Sequence, residues 1–200
     1  MEAVSDMGVL PYRSPRARDE ATASLGMSIF LGSWAMMFGA LFLAYGAVRL
    51  RSTMWPPTDV PTLPLGMPGI ATALLLLSSV VLQQAVRTFR AGNARHASAA
   101  IGVGALLGAV FLVLQSIVWR QLWIAGLRPD GGPYASVFYG LTVFHALHVL
   151  VGLAALVILW VKSLSGAYSP ARFLSVRLWT SYWHFVGVVW MLMFATIYAI

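Results

Sequence analysis

The segment "TVFHALHVLVG", Thr142–Gly152, places two histidines inside an otherwise apolar run. At helical spacing Tyr139, Thr142, His145, His148 and Gly152 share one stripe, because residues three or four apart lie on the same helix face. In hydrocarbon an unpaired polar group costs several kcal/mol by rough estimate, so such a stripe has to face protein rather than lipid. The fold therefore turns on whether the surroundings are hydrocarbon.

Composition answers that. Of the 200 residues, 60% are hydrophobic and 10% charged, and the mean hydropathy is +0.80. Soluble domains carry about 25% charged residues, and a chain this apolar cannot hide its surface in one core. A helix needs ~20 apolar residues to cross the bilayer. Segments over residues 24–48, 65–86, 97–119, 135–161 and 178–200 meet that length. The expected fold is an all-α membrane protein, an antiparallel bundle of five transmembrane helices forming one domain over residues 24–200.

Residues 1–23 mix Arg13, Arg16, Arg18, Asp19 and Glu20 with Pro11 and Pro15, without an apolar stretch and cleavage site. They read as a flexible cytosolic tail, not a signal peptide. Orientation follows from the basic residues. Arg13, Arg16, Arg18, Arg87, Arg90, Arg95, Lys162, Arg172 and Arg177 fall on one face of the membrane, against Arg49, Arg51, Arg120 and Arg128 on the other. The N-terminus is expected in the cytoplasm and the C-terminus outside. This loop pattern, and not nucleic-acid binding, accounts for the formal net charge of +7. The arginines Arg87, Arg90 and Arg95 are candidates for contact with anionic lipid heads.

Several chemistries drop out. The chain has no cysteine, which excludes disulfides, iron–sulfur clusters and thiolate-bound copper or zinc. Glu2, Asp6, Asp19, Glu20, Asp59 and Asp130 all lie outside the spans. That speaks against a self-contained ion pump, which usually keeps carboxylates or other ionisable groups inside its bundle, and leaves a histidine relay open. A haem held by two histidines needs them on opposite sides of the ring, yet His145 and His148 share a face. Each requires a partner from another helix, and His184 is the remaining histidine within a span. A metal on His145, His148 and His184 lacks an intramembrane carboxylate or thiolate to complete its ligands. The expected state is neutral imidazole hydrogen-bonded between helices, with Thr142, His145, His148 and His184 as one structural polar cluster. Gln115 is expected to join these groups, and no catalytic, cofactor or metal site is expected in the chain.

Small residues mark touching faces in membrane bundles. In the first span Ser28, Gly32, Ala35, Gly39 and Gly46 form one stripe, expected to pack within the molecule or against another subunit, and Gly104 and Gly108 form a Gly-x-x-x-Gly pair. Trp55 and Trp123 read as interfacial anchors.

Taken together, "GSWAMMFGALFLAY" (Gly32–Tyr45), Trp55-Pro56-Pro57, "LLLLSSVV" (Leu74–Val81), "FLVLQSIVW" (Phe111–Trp119), "FYGLTVFHALHVLVG" (Phe138–Gly152) and "YWHFVGVVW" (Tyr182–Trp190) resemble subunit III of haem–copper respiratory oxidases in its short five-helix form. The resemblance runs from about Leu25 to Ile200. It implies an accessory, multi-pass subunit of a cytochrome c oxidase in the bacterial inner membrane, without a redox centre of its own. Haem and copper belong to partner subunits, above all subunit I, and bound phospholipid is implied as well. Where the family usually buries acids this chain has Trp34, Val118 and Gly187, and Val143 and Ala146 replace glycines beside His145. Loss of those acids leaves an accessory subunit of a nitric-oxide reductase as an alternative. A stand-alone haem-binding or transport protein is a further one.

Overall fold

The computed structural model describes residues 15–57, 60–61, 63–169 and 172–199. The part of the expected tail before residue 15 lies outside them, as do Asp59 and Ile200. Helices run over Pro15–Arg51 (α1), Gly66–Arg90 (α2), Ala94–Ile124 (α3), Pro133–Leu164 (α4) and Leu174–Phe194 (α5), the last continuing as a π-helical turn over Ala195–Ala199. All five are long and apolar enough to cross a membrane.

Each helix overruns its apolar segment at one end or both. At 1.5 Å per residue, the 31 and 32 residues of α3 and α4 reach about 47 Å, against a hydrocarbon core of about 30 Å. Apolar counting finds only the part inside lipid, whereas the backbone ladder continues into the headgroup layer. The same reasoning corrects the tail: α1 begins at Pro15, so residues 15–23 are helical.

Local chemistry sets the turns. Gly92 (φ 84°) ends α2, and the Asn93 side chain then caps α3 by accepting from the His96 amide at 3.4 Å. A left-handed glycine followed by an N-cap leaves no room for a longer connector, and α2 and α3 become an antiparallel hairpin. Gly126 (φ 98°) ends α3 in the same manner, with the Leu127 amide donating to the Leu122 carbonyl at 2.9 Å.

The helices α2, α3, α4 and α5 close a ring in which each packs on its sequence neighbour and α5 returns to α2. Helix α1 lies outside it against α4 and α5. In the most apolar window of α1 only 6% of residues are buried, against 39–50% in the ring helices. Its inward residues include Phe38, near His148, and Tyr45, whose hydroxyl donates to the Thr196 carbonyl at 3.2 Å. The stripe Ser28, Gly32, Ala35 and Gly39 is exposed instead, and a Cβ at any glycine of α1 would meet nothing within 4 Å. Packing of that stripe within the molecule is therefore not what the fold does.

The ring is stitched by tryptophan. The Trp183 indole N–H donates to Ser78 Oγ at 3.0 Å, and Ser78 donates onward to the Gly104 carbonyl at 2.9 Å. One serine thus ties α5, α2 and α3. Trp190 donates to Thr72 Oγ1 at 2.8 Å. Gly104, Gly108 and Gly152 make the space for Leu82, Trp183 and Tyr182 beside them.

Candidate functional site: the histidine and aromatic interior

The polar stripe of α4 points into the bundle. Thr142, His145 and His148 have relative exposures of 0%, 1% and 6%. Thr142 Oγ1 donates to the Phe138 carbonyl one turn back at 2.8 Å and accepts from Trp119 Nε1 at 3.2 Å. His148 Nδ1 lies 2.6 Å from the Phe144 carbonyl. A carbonyl only accepts, so the proton sits on Nδ1 and the imidazole is bound to its own helix rather than to another one. Its backbone carbonyl accepts from the Tyr182 hydroxyl at 3.0 Å, which braces α4 on α5.

His145 is held differently. Neither of its ring nitrogens meets a protein donor or acceptor. The ring lies tilted by 30° on Trp190 at 5.2 Å between centroids, with Phe111 and Phe38 each at 6.2 Å. Trp34 presents an edge to His148 at 4.0 Å, and Phe38 does so at 5.1 Å. The histidine pair thus occupies an aromatic cage. Hydrogen bonds between helices, the expected mode, hold neither imidazole.

His184 stands apart. On α5 it follows Trp183, whose side chain points into the ring, and a step of about 100° per residue turns it toward α2. There its Nε2 lies 3.2 Å from Gln83 Oε1. With Leu76, Ser79, Gly187 and Met191 it lines a crevice on the α2–α5 seam. The expected single cluster is thus a trio on α4 and a separate pair on α2 and α5. Gln115 is buried beside Tyr198 and reaches neither histidine of α4.

Trp34, Val118 and Gly187 do not form one site either. Trp34 is the edge against His148, Val118 is fully buried, and Gly187 faces Ser79 across the α2–α5 seam. Trp55 is wedged between Tyr45 and Tyr134 at 5.4 and 4.9 Å, which makes it a packing residue, while Trp123 stays half exposed as an anchor would. The residues that sequence reasoning undervalued are Ser78 and Thr72. The available signal was a hydroxyl within an apolar run, opposite a tryptophan that must satisfy its N–H.

Among the described residues no group of three or more His, Cys, Asp or Glu is placed to hold a metal ion. A haem on His148 or His145 would have to displace Trp34 or Trp190, whose rings already cover those imidazoles. Fold and site define a multi-pass α-helical membrane protein with a tightly packed, aromatic-lined interior.

Known proteins narrow that class. The family model for cytochrome c oxidase subunit III matches residues 18–200. The chain is 34% identical over 174 residues to cytochrome c oxidase subunit 3 of Synechocystis sp., covering 86% of this chain and 73% of the relative. It is 35% identical over 178 residues to cytochrome c oxidase subunit 3 of Thermostichus vulcanus, covering 87% and 85%. To the probable cytochrome c oxidase subunit 3 of Nocardia farcinica it is 35% identical over 177 residues, covering 88% and 86%. The chain belongs to the cytochrome c oxidase subunit III family.

Proposed function

We propose that the chain is an accessory, non-redox subunit of a haem–copper terminal oxidase that stabilises the haem-bearing subunit I during aerobic electron transport. The observation that carries this reading is the family match across residues 18–200, joined to an interior filled by tryptophan and phenylalanine around its histidines. Such an interior is a scaffold. Thr142, His145, His148 and His184 act in it as packing and bracing groups, and haem and copper reside on partner subunits.

The excess of basic residues in one set of loops supports an N-terminus in the cytoplasm and a C-terminus outside, in a bacterial inner membrane. Residues 24–200 form the membrane domain and residues 1–23 the cytoplasmic segment leading into it. Arg87, Arg90 and Arg95, all exposed, meet anionic headgroups of the cytoplasmic leaflet, at about 1 kcal/mol each.

The test is affinity purification of the tagged chain from its own membranes in mild detergent. The expected result is a colourless isolated chain, and a complex whose largest co-eluting subunit carries the haem absorption. Deleting the chain should lower the thermal stability and amount of that subunit. Stoichiometric haem on the isolated chain, or no haem-bearing companion, would defeat the proposal.

A further inference from the structure

The α2–α5 seam opens outward into the crevice that His184 lines, a cavity of about 330 Å³. That volume stands at the lower end of small-molecule sites, roughly 300–1,000 Å³. Gly187 shapes it. Among the described residues a Cβ there would meet only Ser79 Oγ, at 3.4 Å. One wall therefore carries no side chain, and the opening is a slot. Val188 and Met191, both exposed, flank its mouth, which faces the surroundings of the bundle rather than its interior.

The slot offers hydrogen-bond donors that no protein group takes. His184 Nε2 lies 3.2 Å from Gln83 Oε1. An amide oxygen only accepts, so Nε2 carries the proton, and the two N–H groups of the Gln83 amide stay free to donate elsewhere. Gln83 is one turn from Ser79 on the same face of α2. Among the described residues neither that amide nitrogen nor the Ser79 hydroxyl has an acceptor. Ser116, exposed on α3, donates back to the Leu112 carbonyl at 2.8 Å, whereas Ser79 keeps its Oγ against Gly187. Donors left bare in hydrocarbon cost several kcal/mol by rough estimate. Depth limits what can meet them. Ser79 precedes Arg87, in the last turn of α2, by about 12 Å at 1.5 Å per residue. A headgroup phosphate beside that arginine does not reach Ser79, and acyl chains have no acceptor to offer.

We propose that the slot binds the head ring of an isoprenoid quinone dissolved in the bilayer. Such a molecule is apolar, its ring is flat, and in the oxidised form its carbonyl oxygens accept hydrogen bonds and donate none. The ring lies over Gly187, where the missing Cβ admits a flat face. One carbonyl accepts from the Ser79 hydroxyl, with the Gln83 amide at the rim as the second donor. His184 is a positioning residue that holds this amide, and the tail leaves past Val188 and Met191. Binding changes no oxidation state. The inference rests on the chain lying in a bilayer and is independent of its place in an oxidase.

The protein, purified with its native partners, is reconstituted into phosphatidylcholine nanodiscs containing decylubiquinone, and bound ligand is counted by native mass spectrometry. Decylubiquinone is expected to be retained, and decylbenzene, with a ring and tail but no carbonyls, is not. Ser79→Ala should lower retention about fivefold, the weight of one hydrogen bond, while Ser79→Thr, which keeps the hydroxyl, retains most of it. Gly187→Leu fills the slot and should abolish binding there. Quinone held elsewhere in the complex is untouched by that variant, so the difference in count measures this site alone. A photo-crosslinking residue at Val188 in the otherwise unaltered chain should capture decylubiquinone, and this measurement stands even if a variant fails to fold. Equal retention of decylbenzene, unchanged retention in Ser79→Ala and Gly187→Leu, or capture of a polypeptide instead of the quinone at Val188 would each overturn the proposal.

Discussion

The glycines of α1 and those of the helix ring carry the same sequence signature and meet opposite surroundings. A Cβ at Gly32 or Gly39 would touch nothing within 4 Å, whereas one at Gly108 would come 2.5 Å from the Trp183 ring. In the ring, small residues admit large indoles that bind the helices together. On α1 they form an open face. Small-residue spacing reports that something can approach a helix closely, and leaves unsaid whether that something is the same chain.

The sharpest way to break this contrast is Gly108→Ala beside Gly39→Ala. Trp183 is fully buried and anchored by Ser78, so it cannot swing away, and the added methyl should cost about 1–3 kcal/mol. At Gly39 the same change should stay within about 0.5 kcal/mol. Thermal unfolding of the purified variants measures both. Equal losses would mean that α1 packs its stripe inward.

Ser78→Ala comes next. It strands the Trp183 N–H and removes the hydroxyl's bond to the Gly104 carbonyl, and intramembrane hydrogen bonds average about 0.6 kcal/mol with a maximum near 1.7. A bridging serine belongs at the upper end. Its neighbour Ser79, on the α2–α5 crevice, should tolerate alanine with a smaller loss. Unfolding free energies that rank the two serines the other way would remove Ser78 as the tie between three helices.

A subtler contrast separates the α4 trio from the distant pair. In a double-mutant cycle His184 should couple to Gln83 by about 0.5 kcal/mol, because their side chains meet. No coupling beyond error is expected with His148. A measured His184–His148 coupling would restore the single cluster read from the sequence.

The smallest effects on turnover are expected at the caged imidazoles. His145→Phe replaces a ring whose nitrogens have no protein partner, and an apolar ring of similar shape should be close to neutral. His148→Phe loses only its bond to Phe144, at about 1 kcal/mol. Turnover of the fully assembled complex should hardly change in either variant. A sharp loss in fully assembled His148→Phe would show that this imidazole does more than pack.

Much of the fold was legible because membrane partition is local. Each apolar run around Leu74–Val81, Phe111–Trp119 or Phe138–Gly152 declares a span without reference to the others. The inward face of α4 was legible too, since Thr142, His145 and His148 are polar and share a stripe. Three features were not. Residues 15–23 carry charge, so counting apolar residues misses their helix. The stripe Ser28–Gly39 looks like a contact face from either side. His184 could not be told from the α4 histidines, because its direction depends on how α5 is rotated about its own axis.

By itself, then, the sequence determined a membrane chain of five spans, the polar face of α4, and a lack of thiol or buried-acid chemistry. Those properties belong to residue type and to spacing within one segment. Tertiary structure alone decided that Trp183 reaches Ser78, that His184 pairs with Gln83, and that α1 keeps its small residues outside the ring. The reason is the solvent. Lipid is as apolar as the residues facing it, so hydrophobicity cannot mark a helix's inner face, and the choice falls to shape and hydrogen bonds between helices.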